Sequence, residues 1–592
     1  MDFSKAIKNK KVIIISAIVI VLAIAAIIFI CTNKKSSYDD LKDIDQNKYS
    51  IAKPRSDKPI IYIKNGALFA KASNGSGDAH DLSGSLCKND IIETSSTYMD
   101  LVKQSKNAEY TYFVKDFSKD THTGSLYATN DYQNSFLVDN DIVVESGYEY
   151  IKLSANGNTA VYMKNLTIED NELYSDLYYK NTGDETSSEI ASGLYGMQAT
   201  YEISGSGKYI AAYSKPNPNT GAGGLIVLEN KSAPKTIAAD VNEKIELKSV
   251  TDSGKVIFTK EITENENSVQ SNVCILDIAS GEIKTFGKNV NENNIYLSDK
   301  SDKIVYVESE GSKIFAYSAS FDKEPELITD QYCGFTGIDV ENDCYIYATA
   351  TGDEFYADKK KVYIKTPELS SPALLSDDIY LPSDVCHSAD FKTIYYVSNF
   401  DKTNYSGTLY KAEIKNSALE KAEKLADNVH DFKISQGGNT VLFDTDYNKD
   451  EKKSNLKVYT KNDNKIKNIA DSVAIDDAVL SVDGASVFYS DTPASDSSNN
   501  FTSALKTFDV YKDSAVSVVD EKSSAAYYYY DKYLASTSNS SINMRNRFYV
   551  RGEGNVLYYK DVSSDYKSAK LYLHKDKKEI LVDDNVTVLL FE

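Results

Sequence analysis

A turn-and-strand pattern recurs along most of the chain, and it limits the fold more than any other feature of the sequence. A Ser or similar residue opens a short turn that usually holds a Gly, and an alternating strand rich in Tyr, Ile and Val follows. We name each copy after its start residue. The clearest start residues are Ser154, Ser204, Thr251, Ser435 and Ser481, and weaker ones are Ser56, Ser105, Ser298, Asp339, Ser388 and Arg551. Successive start residues lie about 47 residues apart, with one short step before Asp339 and one long step before Arg551.

Each unit has the pattern of a small antiparallel sheet. A second strand with a Leu-Tyr or Val-Tyr pair follows after a variable loop, as in DLYYK from Asp176 and KVYTK from Lys457. A third short strand often comes next, as in KEILVDD from Lys578. One such sheet cannot bury both of its faces, but stacking it against neighbours around a ring buries both. The sequence therefore predicts an all-β fold of β-propeller repeats.

The last strand of the sequence, NVTVLLFE, has no partner strand after it. Its apolar side chains alternate at Val586, Val588 and Leu590. A free strand edge invites aggregation, and in propellers the final strand commonly joins the first blade. We therefore predict that this strand pairs with an N-terminal strand and closes a ring.

Two copies of the repeat carry a family resemblance. LSVDGASVFYSD from Leu480 and HSADFKTIYYVSNF from His387 resemble the repeats of TolB-like and dipeptidyl-peptidase-type propellers, which are WD-like repeat proteins. The resemblance covers nearly all of residues 56–592. It implies a propeller that serves as a protein-binding platform, or as a gating domain beside a hydrolase.

About eleven units are more than the roughly four to eight blades of a usual propeller. Two tandem β-propellers are the organisation we favour, with the boundary at or just after the short step before Asp339. The predicted segments are a cytoplasmic tail at 1–11, a transmembrane helix at 12–31, a spacer at 32–55, a first β-propeller at 56–335 and a second β-propeller at 336–592.

One N-terminal segment is apolar enough to cross a membrane. Val12 to Cys31 is a run of twenty residues without a charge, and a helix of that length covers about 30 Å, the thickness of a bilayer's hydrocarbon core. Four lysines precede it, which favours a cytoplasmic N-terminus. A cleaved signal peptide is the competing interpretation, but AIIFIC after Ala25 leaves no polar cleavage region. We predict a single-pass anchor in the cell membrane, with the bulk of the chain extracytoplasmic.

Charge and aromatic content limit the classes of partner that the chain can bind. A formal net charge of -21 disfavours nucleic acid, because phosphate binding needs clustered Lys and Arg. The 45 Tyr residues recur at strand positions in phase with the repeat, so packing between strands is their default role and stacking on sugar rings is the alternative. The predicted partners are the membrane, through Val12 to Cys31, and a protein of the cell envelope.

One loop has the alternating oxygen atoms of a calcium site, and calcium is the one metal cofactor that the sequence suggests. The candidate ligands are Asp444, Asp446, Asn448 and Asp450 in DTDYNKD, which resembles the first half of a calcium-binding loop. Lys449 stands where the sharp turn needs Gly, and Asn455 stands where a bidentate Glu would bind. A solvated hairpin loop is therefore the interpretation that we prefer.

The cysteines leave two interpretations open. Five of them follow the predicted membrane segment: Cys87, Cys274, Cys333, Cys344 and Cys386. Cys333 and Cys344 are close enough in sequence to form a disulfide across a hairpin. Burial of all five as small apolar side chains is the equal alternative.

The sequence contains no G-x-S-x-G motif, and no α/β segment follows the repeats to carry a catalytic serine. We therefore predict a non-enzymatic binding or scaffold protein of the bacterial cell envelope. The alternative is a propeller enzyme, a glycoside hydrolase or lyase, that acts on envelope or extracellular polysaccharide.

Overall fold

The computed structural model shows a chain of β-strands joined by turns. The predicted transmembrane segment at 12–31 lies outside the described residues, and none of the described residues belongs to a helix long and apolar enough to span a membrane. The described residues are 40–41, 44–51, 56–88, 100–144, 150–169, 172–195, 200–214, 224–237, 245–265, 268–310, 313–350, 359–380, 384–473, 475, 478–490, 494–495, 501–502, 505–519, 526–527, 548–552, 555–561, 563, 568–576 and 578–590.

The units form antiparallel sheets, most of them with four strands, and the start residue lies at the turn between the first and second strands. In the first half of the chain the strands are Val102–Gln104, Thr111–Ser118, Thr123–Thr129 and Phe136–Val143 in the Ser105 unit; Ile151–Leu153, Thr159–Glu169, Glu172–Asn181 and Ser188–Tyr195 in the Ser154 unit; Thr200–Ile203, Tyr209–Ser214, Gly224–Glu229 and Lys235–Ile237 in the Ser204 unit; and Ile245–Val250, Lys255–Asn265, Ser268–Asp277 and the first part of Ile283–Leu297 in the Thr251 unit.

The second half continues the pattern. Its strands are the last part of Ile283–Leu297, Ile304–Glu310, Lys313–Ser320 and Lys323–Thr329 in the Ser298 unit; Tyr332–Asp339, Cys344–Thr349, Lys360–Lys365 and Ala373–Ile379 in the Asp339 unit; Val385–His387, Thr393–Asp401, Ser406–Lys415 with Ala418–Leu419 beside it, and the first part of Glu423–Ile434 in the Ser388 unit; the last part of Glu423–Ile434, Thr440–Asn448, Lys453–Thr460 and Lys465–Val473 in the Ser435 unit; and Ala478–Leu480, Ser486–Ser490, Leu505–Asp509 and Ser514–Val519 in the Ser481 unit.

Two further sheets complete the described strands. A small one contains Ala494–Ser495, Phe501–Thr502 and Ala526–Tyr527, and a larger one joins Ile60–Lys64, Ala67–Lys71 and His80–Asp81 of the Ser56 unit to Phe548–Gly552, Asn555–Lys560, Ala569–Lys575 and Lys578–Leu590 of the Arg551 unit.

The start residues confirm the predicted turn chemistry. Ser154 is fully buried, its N–H donates to the Thr159 carbonyl at 2.9 Å, and its hydroxyl accepts the Thr159 N–H at 3.0 Å. Gly157 has a φ of 76°, which a residue with a Cβ adopts only under strain. The turns also bond to one another, since the Ala155 N–H donates to the Gly205 carbonyl of the next unit at 2.8 Å. We call the surface formed by these turns the turn face.

Neighbouring sheets bury their apolar faces against each other. Val161 and Leu177 of the Ser154 unit share a core cluster with Ile210 and Leu228 of the Ser204 unit. Equivalent clusters join each following pair of units as far as the Ser481 unit. A repeated sheet whose two faces are covered by its neighbours is a propeller blade. The chain folds as a β-propeller.

The last strand pairs as the sequence predicts. Lys578–Leu590 first pairs with Ala569–Lys575 and then turns to Ile60–Lys64, with Leu590 opposite Ile61 and Val588 opposite Ile63. Val586, Val588 and Leu590 are buried. We call residues 586–590 the closing strand, because they supply the strand that precedes Ile60–Lys64 in its sheet and join the two ends of the described chain.

The boundary at 335/336 stays a prediction. Packing continues past it, because Val305 and Val307 on one side share a core cluster with Tyr345 and Tyr347 on the other.

The cysteine disulfide is not formed. All five described cysteines are free thiols. In the hairpin that contains Cys333 and Cys344, the residue opposite Cys344 is Asp339, and Cys333 lies near the far end beside the Tyr332–Thr349 pair. Strand register therefore separates the two sulfur atoms, and Cys344 packs in a core cluster with Ile346.

Candidate functional site

Two hairpin tips and a strand corner meet where the Ser388 and Ser435 units adjoin. The hairpins consist of Thr393–Asp401 with Ser406–Lys415, and of Thr440–Asn448 with Lys453–Thr460. The corner lies in Glu423–Ile434, where this strand leaves the first hairpin and begins to pair with the second. Asn428 at the corner has a φ of 57°, a left-handed conformation that Asn tolerates better than most residues.

Side-chain hydrogen bonds shape both hairpin tips. Asp401 Oδ1 accepts the Thr403 N–H at 2.8 Å, and its other oxygen accepts from the Asn404 amide at 2.7 Å. Asn448 Oδ1 accepts the Asp450 N–H at 3.0 Å in the second tip. Asp and Asn favour such turns because their short side chains bond to the backbone two residues ahead. Local side-chain hydrogen bonds therefore determine the conformation of each tip.

The tips and the corner enclose an open cleft of about 550 Å³. The lining residues are Thr403, Asn404, Tyr405 and Ser406 from the first tip, Asn428 from the corner, and Asp446, Tyr447, Asn448 and Lys449 from the second tip. Tyr405 leaves 47% of its surface exposed, which is unusual among the tyrosines that the structure describes. We call this space the hairpin cleft.

At two other strand corners, an Asp–Tyr–Lys group fills the equivalent position. Asp139 accepts a hydrogen bond from the Tyr162 hydroxyl at 2.8 Å and pairs with the Lys164 ammonium at 2.8 Å. The corner before the closing strand repeats this group with Asp583, Tyr62 and Lys64.

The corner at the hairpin cleft has other residues at the three positions of this Asp–Tyr–Lys group. Ala426 faces Leu409 as Asp139 faces Leu126, so an Ala replaces the Asp. Phe443 and Thr445 follow Ser435 at the spacing at which Tyr and Lys follow Ser154, so they replace the other two members. Ala426, Phe443 and Thr445 are uncharged and lie outside the lining of the cleft, so this corner differs from the other two in having no ion pair at these three positions.

Tyr447 provides a fixed aromatic wall of the cleft. Its ring stacks on His430, with ring centroids 3.7 Å apart and planes 6° from parallel. His430 Nδ1 lies 3.3 Å from a carboxylate oxygen of Asp444, and the other oxygen accepts the Asp431 N–H at 2.7 Å. Burial raises the pKa of Asp431. This chain of contacts holds the Tyr447 ring in one orientation.

The four candidate calcium ligands lie in different environments in the structure. Asp444 is fully buried beneath the cleft, Asp446 and Asn448 line it, and Asp450 is exposed in the tip. Asp446 has a φ of 58°, which breaks the alternation that the sequence pattern implies. Within the described ranges no group of three or more His, Cys, Asp or Glu side chains is arranged to hold a metal ion. A calcium site at this loop stays the untested alternative to the solvated hairpin loop that we predict.

The remaining lining residues were missed by the sequence reasoning. Tyr405, Asn428 and Tyr447 come from three separate segments, and only strand register brings them together. No single position in the sequence marks the site: Thr445 stands where the Ser105 and Ser154 units have Lys, but Ser214 and Ser398 stand there in two other units.

The lining suits a ligand with many hydroxyl groups. Asn428 lines the cleft with an amide that can both donate and accept, Asn404 adds a carbonyl acceptor because its amide nitrogen bonds to Asp401, and Asn448 adds amide donors because its carbonyl oxygen accepts the Asp450 N–H. Tyr405 and Tyr447 add aromatic surface between these polar groups. Such a mixture orients a sugar ring by hydrogen bonds and covers its apolar face.

Comparisons with known proteins assign no family to the chain. No family model matches the chain, and no curated protein matches it. Among solved structures it is similar to dipeptidyl peptidase 4 of Porphyromonas gingivalis, with 11% identity and a TM-score of 0.33 over 69% of this chain and 64% of that chain. It is similar to the β-propeller domain of the Trilobed protease of Pyrococcus furiosus, with 16% identity and a TM-score of 0.26 over 55% and 98%. It is also similar to the GH74 enzyme of Niastella koreensis, with 12% identity and a TM-score of 0.29 over 89% and 84%.

The chain spans less than two thirds of the length of that dipeptidyl peptidase. At these identities the similarities concern the fold alone, and the fold itself rests on the strand pairing of this chain.

Proposed function

We propose that this chain is a non-enzymatic, extracytoplasmic binding protein of the bacterial cell envelope. Residues 12–31 hold it in the cell membrane in this proposal, and the hairpin cleft binds carbohydrate of the envelope. The single observation that carries the proposal is the lining of the cleft, where exposed Tyr405 and the fixed ring of Tyr447 stand among amide side chains.

The alternative, a glycoside hydrolase or lyase, finds less support in the cleft. Glycoside hydrolysis ordinarily needs two carboxyl groups on either side of the scissile bond. Asp446 is the one carboxylate among the residues that line the cleft, and Asp444 lies buried behind it. This arrangement supports binding over bond cleavage at the cleft.

We also propose the finer organisation of about eleven TolB-like units in two groups. Lys106 in the Ser105 turn pairs with Asp299 in the Ser298 turn, with their charged atoms 2.8 Å apart. The Ser105 and Ser298 turns therefore lie side by side, which favours a boundary after the Ser298 unit, while the closing strand joins the sheet of the Ser56 unit to the last unit. A protein partner in the envelope remains part of the proposal.

Binding of the purified full chain in detergent to cell-wall polysaccharide tests the function. Replacing Tyr405 by Ala removes exposed aromatic surface at the cleft, so the dissociation constant should rise about tenfold, which corresponds to about 1.4 kcal/mol. Phe136→Ala is the matched control, because Phe136 is also an exposed aromatic residue but lies in the Ser105 unit. Equal binding by both variants would remove the cleft from the proposal.

The same purified chain also distinguishes polysaccharide binding from polysaccharide cleavage. Incubation with polysaccharide should release no new reducing ends. Release that disappears in Asp446→Asn would establish the enzyme and overturn the binding function.

A further inference from the structure

A single hydrogen-bond pattern is repeated at the turns that follow the start residues. In the Ser154 turn, the Ser154 hydroxyl donates to Asn156 Oδ1 at 2.9 Å, and the same oxygen accepts the Asn158 N–H at 3.0 Å. The third residue of the turn therefore supplies an acceptor that ties the start residue to the fifth residue. Asn107, Asp390 and Asp483 do the same in their own units.

The Ser435 turn lacks this acceptor. Its third residue is Gly437, which has no side chain. Asp40, from the segment that precedes the first unit, takes the vacant place: its Oδ1 accepts the Ser435 hydroxyl at 2.9 Å and the Asn439 N–H at 3.0 Å. These are the partners and distances that Asn156 has in its own turn. Asp40 Oδ2 also accepts the Gly437 N–H.

The fit requires glycine at position 437. A Cβ there would lie 1.7 Å from the Asp40 carbonyl oxygen, well inside any contact distance. Asp40 itself is 3% exposed, and burial raises its pKa. A buried carboxylate is costly unless donors surround it, and here a hydroxyl and two backbone N–H groups do so. The turn is therefore built around a carboxylate.

The rest of the segment at 44–51 lies on neighbouring turns of the same face. The Lys300 ammonium in the Ser298 turn donates to the carbonyls of Asn47 at 2.8 Å and Lys48 at 3.1 Å. Asn342 in the Asp339 turn donates to the Lys48 carbonyl at 3.2 Å, and Tyr49 is buried. The segment thus contacts the turns of several units.

We propose that the Ser435 turn is a carboxylate-binding site filled by Asp40, which latches residues 40–41 and 44–51 onto the turn face. Asp40 acts as the missing third residue of that turn. The latch does not depend on the proposed carbohydrate ligand. Combined with the proposed membrane anchor, it sets the orientation of the ring, because only eight residues separate Cys31 from Asp40.

Those eight residues allow a reach of about 30 Å from the membrane. The strand Thr440–Asn448 leads from the Ser435 turn to the hairpin cleft and is about 30 Å long. With residues 12–31 in the membrane, the turn face would lie toward the membrane and the hairpin cleft would face away from it.

Hydrogen exchange on the full chain in detergent tests the latch. In Asp40→Ala, the peptide at 435–440 should exchange about tenfold faster, because its Gly437 and Asn439 amides lose their acceptor. The Ser154 turn is the internal control and should not change. Trypsin cleavage after Lys48 should accelerate in the same variant, since the segment is no longer held.

A second variant distinguishes the effect of Asp40 on the turn from its effect on the segment. Adding Gly437→Asp to Asp40→Ala gives the turn an acceptor of its own, as in the Ser388 and Ser481 units. Slow exchange at 435–440 should return, while cleavage after Lys48 stays fast. Unchanged exchange in Asp40→Ala, or slow cleavage after Lys48 in a folded Gly437→Asp variant, would overturn the latch.

Discussion

Truncating the side chains of the closing strand should destabilise the whole ring. Val588 and Leu590 are each 2% exposed and pack in the core cluster that contains Ile61 and Ile63. Replacing a buried Val or Leu by Ala removes apolar contact and leaves a cavity. The cost is about 1–2 kcal/mol for Val and about 2–5 kcal/mol for Leu. The double variant should therefore lose about 3–7 kcal/mol, against a net stability of about 5–15 kcal/mol for a typical domain.

Thermal unfolding of the full chain in detergent measures this loss. The double variant Val588→Ala/Leu590→Ala should lower the first melting transition by several degrees. Deletion of residues 584–592 should cause aggregation, because it leaves an edge of Ile60–Lys64 unpaired. Leu581→Ala is the matched control: Leu581 belongs to the same strand but is 47% exposed, so its effect should stay within about 0.5 kcal/mol. A double variant that melts with the control would refute ring closure by this strand.

Three further predictions concern thiol reactivity, acid stability and calcium. Alkylation of the native chain at pH 8 should leave Cys344 unmodified, because burial raises the pKa of its thiol to about 12; prompt labelling would contradict its placement in the core. The Ser280 hydroxyl and the Lys255 ammonium lower the pKa of Asp277 to about 2, from an ordinary value of 3.8. Asp277 therefore stabilises the fold above about pH 4 and loses this effect as pH falls toward 2, so Asp277→Asn should be less stable at pH 6 and equal to the natural chain at pH 2. Calcium should not shift the melting temperature, and a shift abolished by Asp446→Ala would establish the calcium site.

The start residues were predictable from sequence because their bonds are local. Ser154 and Thr159 are five residues apart, and the Gly between them marks a positive φ. The alternation in VTVLLFE likewise showed which side chains face a core. In both cases the information lies within one short segment.

The site was not predictable in the same way. The hairpin cleft is lined by Tyr405, Asn428 and Tyr447 from three separate segments, and only strand register brings these segments together. The calcium pattern assumed regular alternation through Asp446, but the strand bulges between Thr445 and Asn448. Asp40 reaches a turn almost four hundred residues away in sequence, and no local pattern marks that contact.

The junctions between units differ in mechanical strength, because only some neighbouring units share a strand. Ile283–Leu297 and Glu423–Ile434 each bond to two units, so backbone hydrogen bonds cross those junctions. The described strands of the Ser204, Asp339 and Ser481 units form sheets of their own, and their neighbours hold them through side-chain packing. Hydrogen bonds loaded along a strand resist shear, whereas packed faces separate one contact at a time. Force applied across the ring would therefore separate it first at the edges of these separate sheets.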